Sequence, residues 1–170
     1  MNKQEMLMTG SGTAVVPPQM PEEKRTDVEV IDTRFGKVKI NRKNPIVFPN
    51  GMLGLPDKFE YCLTEFSSEK LKRFKLLQSL DDLELSFICL PIPVDNSIID
   101  KADILMGCKD LEIPENDVAL LLVVTVHRQS NGVKLSVNAR APIFISTLRR
   151  VATQYVFHNN KYEIQHLVTF

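Results

Sequence analysis

"ALLLVVTVHRQSNGVKLSVNA", residues 119–139, carries two β-rich runs separated by Gln129–Gly132. Asn131-Gly132 is a strong short hairpin signal, because both central positions of a type I′ turn need positive φ. Read literally, that turn pairs Val126 with Val137, Val124 with Ala139 and Arg128 with Leu135, so the apolar faces coincide. The opposite face of the first run carries Leu121, Val123 and Thr125, which makes this strand apolar on both sides and predicts a central position in its sheet.

Similar texture extends in both directions. Upstream, "VEVIDT" (28–33) alternates, and "GKVKIN" (36–41) sets Val38 and Ile40 against Lys37, Lys39 and Asn41, the two-residue period of a half-buried strand. "PIVF" (45–48), "EYCLTEF" (60–66), "FKLLQSL" (74–80) and "LSFICLPIP" (85–93) follow, with Leu71–Lys75 open to a helical turn instead. Residues 98–117 fit a helix at Ile98, Ala102, Leu105 and Met106, but Gly107 and Pro114 cut it short. Downstream, "APIFIS" (141–146) leads to a short helical piece near "TLRRVA", then to a second hairpin turning at Asn159-Asn160. Many short strands with scraps of helix predict an all-β, mainly antiparallel fold: a small closed β-barrel-like domain with one or two short helices, spanning 28–170. Residues 1–27, with Pro17, Pro18, Pro21 and a mixed charge run, read as a disordered leader.

Composition narrows the function. The 170 residues balance 21 Lys and Arg against 21 Asp and Glu, so no general basic field draws the chain to phosphate backbones or anionic lipids. Met6, Leu7 and Met8 are too short a cluster for a signal core, and no run reaches spanning length, so a soluble, cytoplasmic protein is expected. Cys62, Cys89 and Cys108 lie far apart among apolar residues and read as reduced and partly buried.

Reactive constellations are scarce. The three histidines, His127, His158 and His166, lack C-x-x-C, H-x-x-H or H-x-E company, and no G-x-S-x-G or phosphate-binding glycine loop is present. No metal, cofactor or catalytic residue is therefore assigned, and a triad around His127 requires a serine or cysteine brought to it by the fold. "SSEKLKRFK" (67–75) supplies Lys70, Lys72, Arg73 and Lys75 beside Phe66 and Phe74, the makings of an RNA contact or simply a solvated face. "SLDDLELS" (79–86) gathers Asp81, Asp82 and Glu84 at a corner, either as turn chemistry or as an acidic lip for a basic partner. In "FPNGMLGLPDKF" (48–59), Met52, Leu53 and Leu55 must fold under the barrel as a plug or await a partner, since three exposed together would forfeit about 1.5–3 kcal/mol each.

"TRFG" (33–36), "IVFPNGMLGL" with Phe59 beyond it, "FKLLQSLDDLELSF" (74–87), "VNARAPIFI" (137–145) and Gln154 together resemble the flagellar assembly factor family FliW. The loop departs from that family's usual G-[IL]-P-G-F at Leu53 and Leu55, and Leu83 follows Asp81-Asp82 where the family has proline. The resemblance implies a monomeric, non-catalytic cytoplasmic protein with two protein partners. One is flagellin before export; the other is the translational repressor CsrA, whose hold on flagellin messenger RNA is relieved by binding. On that footing Asp81, Asp82 and Glu84 are assigned to the repressor, and Met52, Leu53 and Leu55 to one or other partner. No nucleic acid or membrane is implied as a direct partner; an RNA-binding small barrel is the alternative.

Overall fold

The computed structural model describes residues 28–169; the leader predicted for 1–27 lies outside them. The chain runs through β1 (Val28–Thr33), β2 (Gly36–Asn41), β3 (Ile46–Val47), β4 (Glu60–Glu65), β5 (Lys75–Ser79) and β6 (Ser86–Ile92). It continues through α1 (Lys101–Asp110), β7 (Val118–Gln129), β8 (Gly132–Val137), β9 (Ile143–Ser146), β10 (Val151–Gln154) and β11 (His166–Val168). Short 3-10 turns occupy Glu69–Leu71 and Glu115–Asp117. Strand order is β11-β8-β7-β6-β5-β4-β3-β10-β9, and β9 pairs again with β7, so the ring closes. All these pairings are antiparallel except β3 with β10. The expected closed, mainly antiparallel barrel is what forms.

β7 closes the ring because it is long enough to serve two neighbours on one edge. Val118–Leu121 pair with β9 and Val124–Gln129 with β8, while β6 takes the other edge at Leu120–Val123. Its doubly apolar sequence follows from having packing partners on both faces. Leu121 joins the interior cluster with Phe48, Met52, Tyr61, Leu77, Cys89, Ile143 and Ile145. Leu120 and Leu122 point outward, beneath α1, with Ile104, Cys108, Phe144 and Phe157. On another side the β1–β2 hairpin covers the outer face, packing Ile31, Val38 and Ile40 on Cys62 and Leu76. Adjacent residues such as Leu76 and Leu77 thus fill different cores, and both are fully buried.

Several local expectations are corrected. The β7–β8 register is shifted by two residues: Val126 faces Leu135, Val124 faces Val137 and Arg128 faces Val133. Ser130 and Asn131 make the turn, and only Gly132 takes positive φ, at 135°. A two-residue slip preserves which face each side chain occupies, so apolar patterning alone does not distinguish the registers. The helix does not stop at Gly107. It runs on to Asp110, because Gly107 sits against Phe144, where an added Cβ would lie 2.7 Å from the ring. It is closed off just beyond its cap, where Glu112 takes φ 53° and the Ile113 amide donates to the Cys108 carbonyl. "TLRRVA" is a turn and strand rather than helix; Arg150 has φ 53°, and its guanidinium donates to the Pro45 and Asn44 carbonyls.

No hairpin turns at Asn159-Asn160. β11 pairs with β8, His166 opposite Val137, rather than with β10. The intervening segment is held on α1: the Tyr155 hydroxyl donates to Asp110 at 2.6 Å, Tyr162 donates to Asp103, and Lys161 bridges Asp100 and Asp103. Phe144, Tyr155, Phe157 and Tyr162 form a chain of edge and tilted ring contacts at 4.9–5.6 Å. That aromatic payload outweighs the turn propensity of two asparagines.

Asp117 anchors the start of β7 to the β9–β10 turn. Its carboxylate accepts from Ser146 Oγ at 2.5 Å, Thr147 Oγ1 at 2.6 Å and the Leu148 amide at 2.8 Å. The Ser146 and Thr147 hydroxyls hold its pKa at about 2, below the ordinary 3.8, with the Leu148 and Thr147 amides adding to the effect. A depressed folded-state pKa means the stabilisation is whole above the unfolded value and is lost as pH falls through the folded one. Asp117→Asn is therefore expected to lower the urea midpoint at neutral pH, with the gap to the wild type closing as pH drops from 3.8 towards about 2. Urea titrations at stepped pH measure it; a gap constant over that range would contradict it.

Candidate partner-binding surface

Loop 48–59 resolves the choice between plug and contact residue by residue. Phe48 and Met52 are buried in the barrel interior, and Leu55 packs partly against the same cluster. Met52 and Leu55 form a single antiparallel bridge, with the Leu55 amide donating to the Met52 carbonyl at 2.8 Å. Gly51 and Gly54 supply the positive φ that this tight reversal requires, 67° and 81°. Leu53, at the tip between the bridged residues, is turned out and 57% exposed. Its amide is held by Gln154 Oε1 at 3.2 Å, while Gln154 Nε2 donates to the Ala141 carbonyl at 3.2 Å. Three apolar neighbours in sequence thus divide: Met52 anchors, Leu55 is shared, Leu53 is presented.

The acidic corner meets the other end of this loop. Asp81 Oδ2 accepts from the Phe59 amide at 2.6 Å and the Glu60 amide at 2.9 Å, so Asp81 does turn chemistry across the two segments. Asp82 Oδ1 accepts from the Glu84 amide at 3.1 Å, and its Oδ2 lies 3.8 Å from Lys58 Nζ, which is also 3.6 Å from Asp57. The two stretches singled out in the sequence are therefore one surface. Around it stand Asp57, Glu60, Asp81, Asp82 and Glu84, five carboxylates to the cations Lys58, Arg42, which donates to the Leu80 carbonyl, and Arg34, which donates to the Ser86 carbonyl, with Phe59 and Leu83 exposed among them. Beneath lies the buried Tyr61 hydroxyl, pushed to about 12 by burial first and then by the charges of Asp81, Asp57 and Asp82. Asp57, Glu60 and Leu83 were not singled out in the sequence, because the Asp81 hydrogen bonds and the Lys58–Asp82 pair that join the two stretches form only in the fold.

The other candidates fare differently. Lys72 pairs with Glu69 and Lys75 with Glu65, Phe74 is buried, and Phe66 is half-buried with its ring edge-on to Phe35 at 6.0 Å. Phe74 thus has no ring face open for RNA bases to stack on, and Phe66 only part of one. His127 does meet a serine: Nε2 lies 2.7 Å from Ser136 Oγ across the β7–β8 ladder. Ser136 is fully buried, so its hydroxyl is closed to a substrate, and the pair serves to satisfy a buried polar group. An open recess lined by Asp100, Lys161, Tyr162, Glu163 and His166 gathers titratable groups, but Lys161 and Tyr162 are engaged in the bonds to Asp100 and Asp103 that hold the segment on α1. Cys62, Cys89 and Cys108 are free and buried, and burial pushes the Cys89 thiol up to about 12, away from nucleophilic use. Among the described residues no cluster could hold a metal ion, and no helix is long and apolar enough to cross a membrane.

Comparison with known proteins places this architecture. Residues 29–168 match the family model described as FliW protein. The chain is 32% identical over 139 residues to the flagellar assembly factor FliW of Geotalea uraniireducens, covering 82% of this chain and 83% of that protein. It is 31% identical over 142 residues to the protein of the same name from Bacillus pumilus, covering 82% and 95%. A crystal structure of the flagellar assembly factor FliW superposes with a TM-score of 0.60 at 23% identity, over 82% of this chain and 96% of that one, which shows a shared fold. From the closed barrel to the Gly/Pro loop and its acidic neighbour, the chain belongs to the FliW family of flagellar assembly factors.

Proposed function

We propose that this protein works without chemistry, in the cytoplasm, by holding two protein partners in turn: the translational repressor CsrA, whose repression of flagellin messenger RNA it relieves, and flagellin awaiting export. The family membership supports both partners. The observation that carries the surface assignment is the continuity between an apolar rim, Leu53, Phe59 and Leu83, and a carboxylate excess at Asp57, Glu60, Asp81, Asp82 and Glu84. Exposed apolar groups give a partner area to cover, and the carboxylates steer a basic RNA-binding protein while repelling RNA phosphates. Asp82 and Glu84 are the repressor's contacts. Asp81 positions them by tying the corner to the loop, and Met52 does the same for Leu53 and Leu55, which present the apolar side.

Reversing Asp82 and Glu84 to lysine is expected to weaken CsrA binding by about tenfold or more at low salt, mainly through association rate, with the loss shrinking as salt screens the patch. Surface plasmon resonance at two ionic strengths reads both effects. Unchanged affinity at low salt would remove the repressor from this corner. Retardation of flagellin leader RNA by the protein alone would instead favour direct RNA binding.

A further inference from the structure

The sequence contains Asn-Gly twice, at Asn50-Gly51 and Asn131-Gly132, and the fold treats the two dipeptides in opposite ways. At Asn50-Gly51 the glycine amide donates to the Phe48 carbonyl at 2.9 Å. A Cβ added at Gly51 would sit 2.7 Å from Pro56 Cα and closer still to the Leu55 carbonyl oxygen, so the backbone has no room to move. At Asn131-Gly132 both residues are exposed at the tip of the β7–β8 hairpin, and a Cβ added at Gly132 meets nothing within 4 Å. The Ser130 hydroxyl donates to Asn131 Oδ1 at 3.1 Å, which draws electrons from the side-chain carbonyl and leaves its carbon more open to attack. The last rung of a hairpin tip is also where a ladder opens most readily.

We propose that Asn131 is a site of spontaneous covalent modification, deamidation through a cyclic imide, and that the plug of the barrel protects Asn50 from the same fate. Hydroxide removes the Gly132 amide proton, and that nitrogen attacks Asn131 Cγ. The new N–Cγ bond forms, the Cγ–Nδ2 bond breaks, and ammonia leaves with a proton from water. Water then opens the five-membered ring at either carbonyl, giving aspartate or isoaspartate. Glycine suits the step because it has no Cβ to obstruct the approach of its own nitrogen. Asn44 is barred from this route, since Pro45 has no amide proton. The product carries a new negative charge on a formally neutral chain, and the isoaspartyl form inserts a backbone methylene into the turn joining the central strand to β8.

The test is incubation of the full chain in warm, mildly alkaline buffer. Conversion at each asparagine is followed by peptide mass spectrometry, and isoaspartate by enzymatic carboxyl methylation with S-adenosylmethionine. In the folded protein Asn131 converts at least about tenfold faster than Asn50, and in concentrated urea the two rates converge. Gly132→Ala slows conversion at Asn131 by about tenfold. Asn131→Gln removes the isoaspartate signal and Asn50→Gln leaves it, which keeps the result readable should the alanine variant fold poorly. Equal rates at the two asparagines in the folded chain, or faster conversion at Asn50, would overturn the proposal; so would an isoaspartate signal that survives Asn131→Gln.

Discussion

Replacing Gly51 with alanine is expected to destabilise the protein by about 2–5 kcal/mol, whereas the same change at Gly54, three residues away, costs only about 1–2. Both glycines have positive φ, 67° and 81°, so both substitutions carry the left-handed penalty of an L-residue. Only at Gly51 does the new methyl group meet backbone, the Leu55 carbonyl and Pro56 Cα, which cannot swing aside as a side chain would. The overpacking term of about 1–3 kcal/mol therefore falls on Gly51 alone. Either the loop shifts outward, drawing Met52 from the interior, or the barrel end is strained. Urea midpoints at unchanged slope measure the difference. Equal losses at the two positions would mean that close packing under Leu55 and Pro56 is not what seats the plug. Because Leu53 is held between the bridged Met52 and Leu55, partner binding through Leu53 should fall together with stability at Gly51→Ala and far less at Gly54→Ala.

Truncating Phe144 to alanine is expected to cost about 3–5 kcal/mol, the range for removing a fully buried ring. Phe144 lies on β9 with its side chain directed out of the ring towards α1. There it meets Tyr155 edge-on at 5.6 Å and fills the space that Gly107 leaves open. The pairing yields a second observable. Gly107→Ala alone sets a methyl group 2.7 Å from the ring and is expected to destabilise by about 1–3 kcal/mol. Combined with Phe144→Leu, which shortens the side chain at the point of collision, it should cost less than the sum of the single changes. A strictly additive double mutant would show that the two sites do not share the space.

These outcomes depend on features that were unevenly legible in the sequence. Alternation in "GKVKIN" and the doubly apolar run at 119–126 identified strands and the central one among them, because period and burial are written directly in residue order. Gly107 misled: its lack of side chain reads locally as a helix breaker, yet it serves a ring brought from β9 by the fold. Asn131-Gly132 gave the hairpin but not its register, since a slip of two residues leaves every side chain on the same face. The asparagine pair at 159–160 reads as a turn, but the aromatic chain through Tyr155, Phe157 and Tyr162 holds the segment on α1 instead.

By itself the sequence determined that this chain makes short, mostly antiparallel strands, that β7 lies at the centre, and that no metal or nucleophile motif stands in line. Those properties depend on side-chain polarity at short spacing, and local order carries them. Only the tertiary structure decided that Met52 is buried while Leu53 is presented, that Asp81 ties the loop to the corner, and that the apolar and acidic stretches form one surface. Each of those depends on groups about twenty or more residues apart meeting through strand pairing. The pairing of β3, β4 and β5 that brings them together is fixed by the energy of the whole closed barrel rather than by any segment within it.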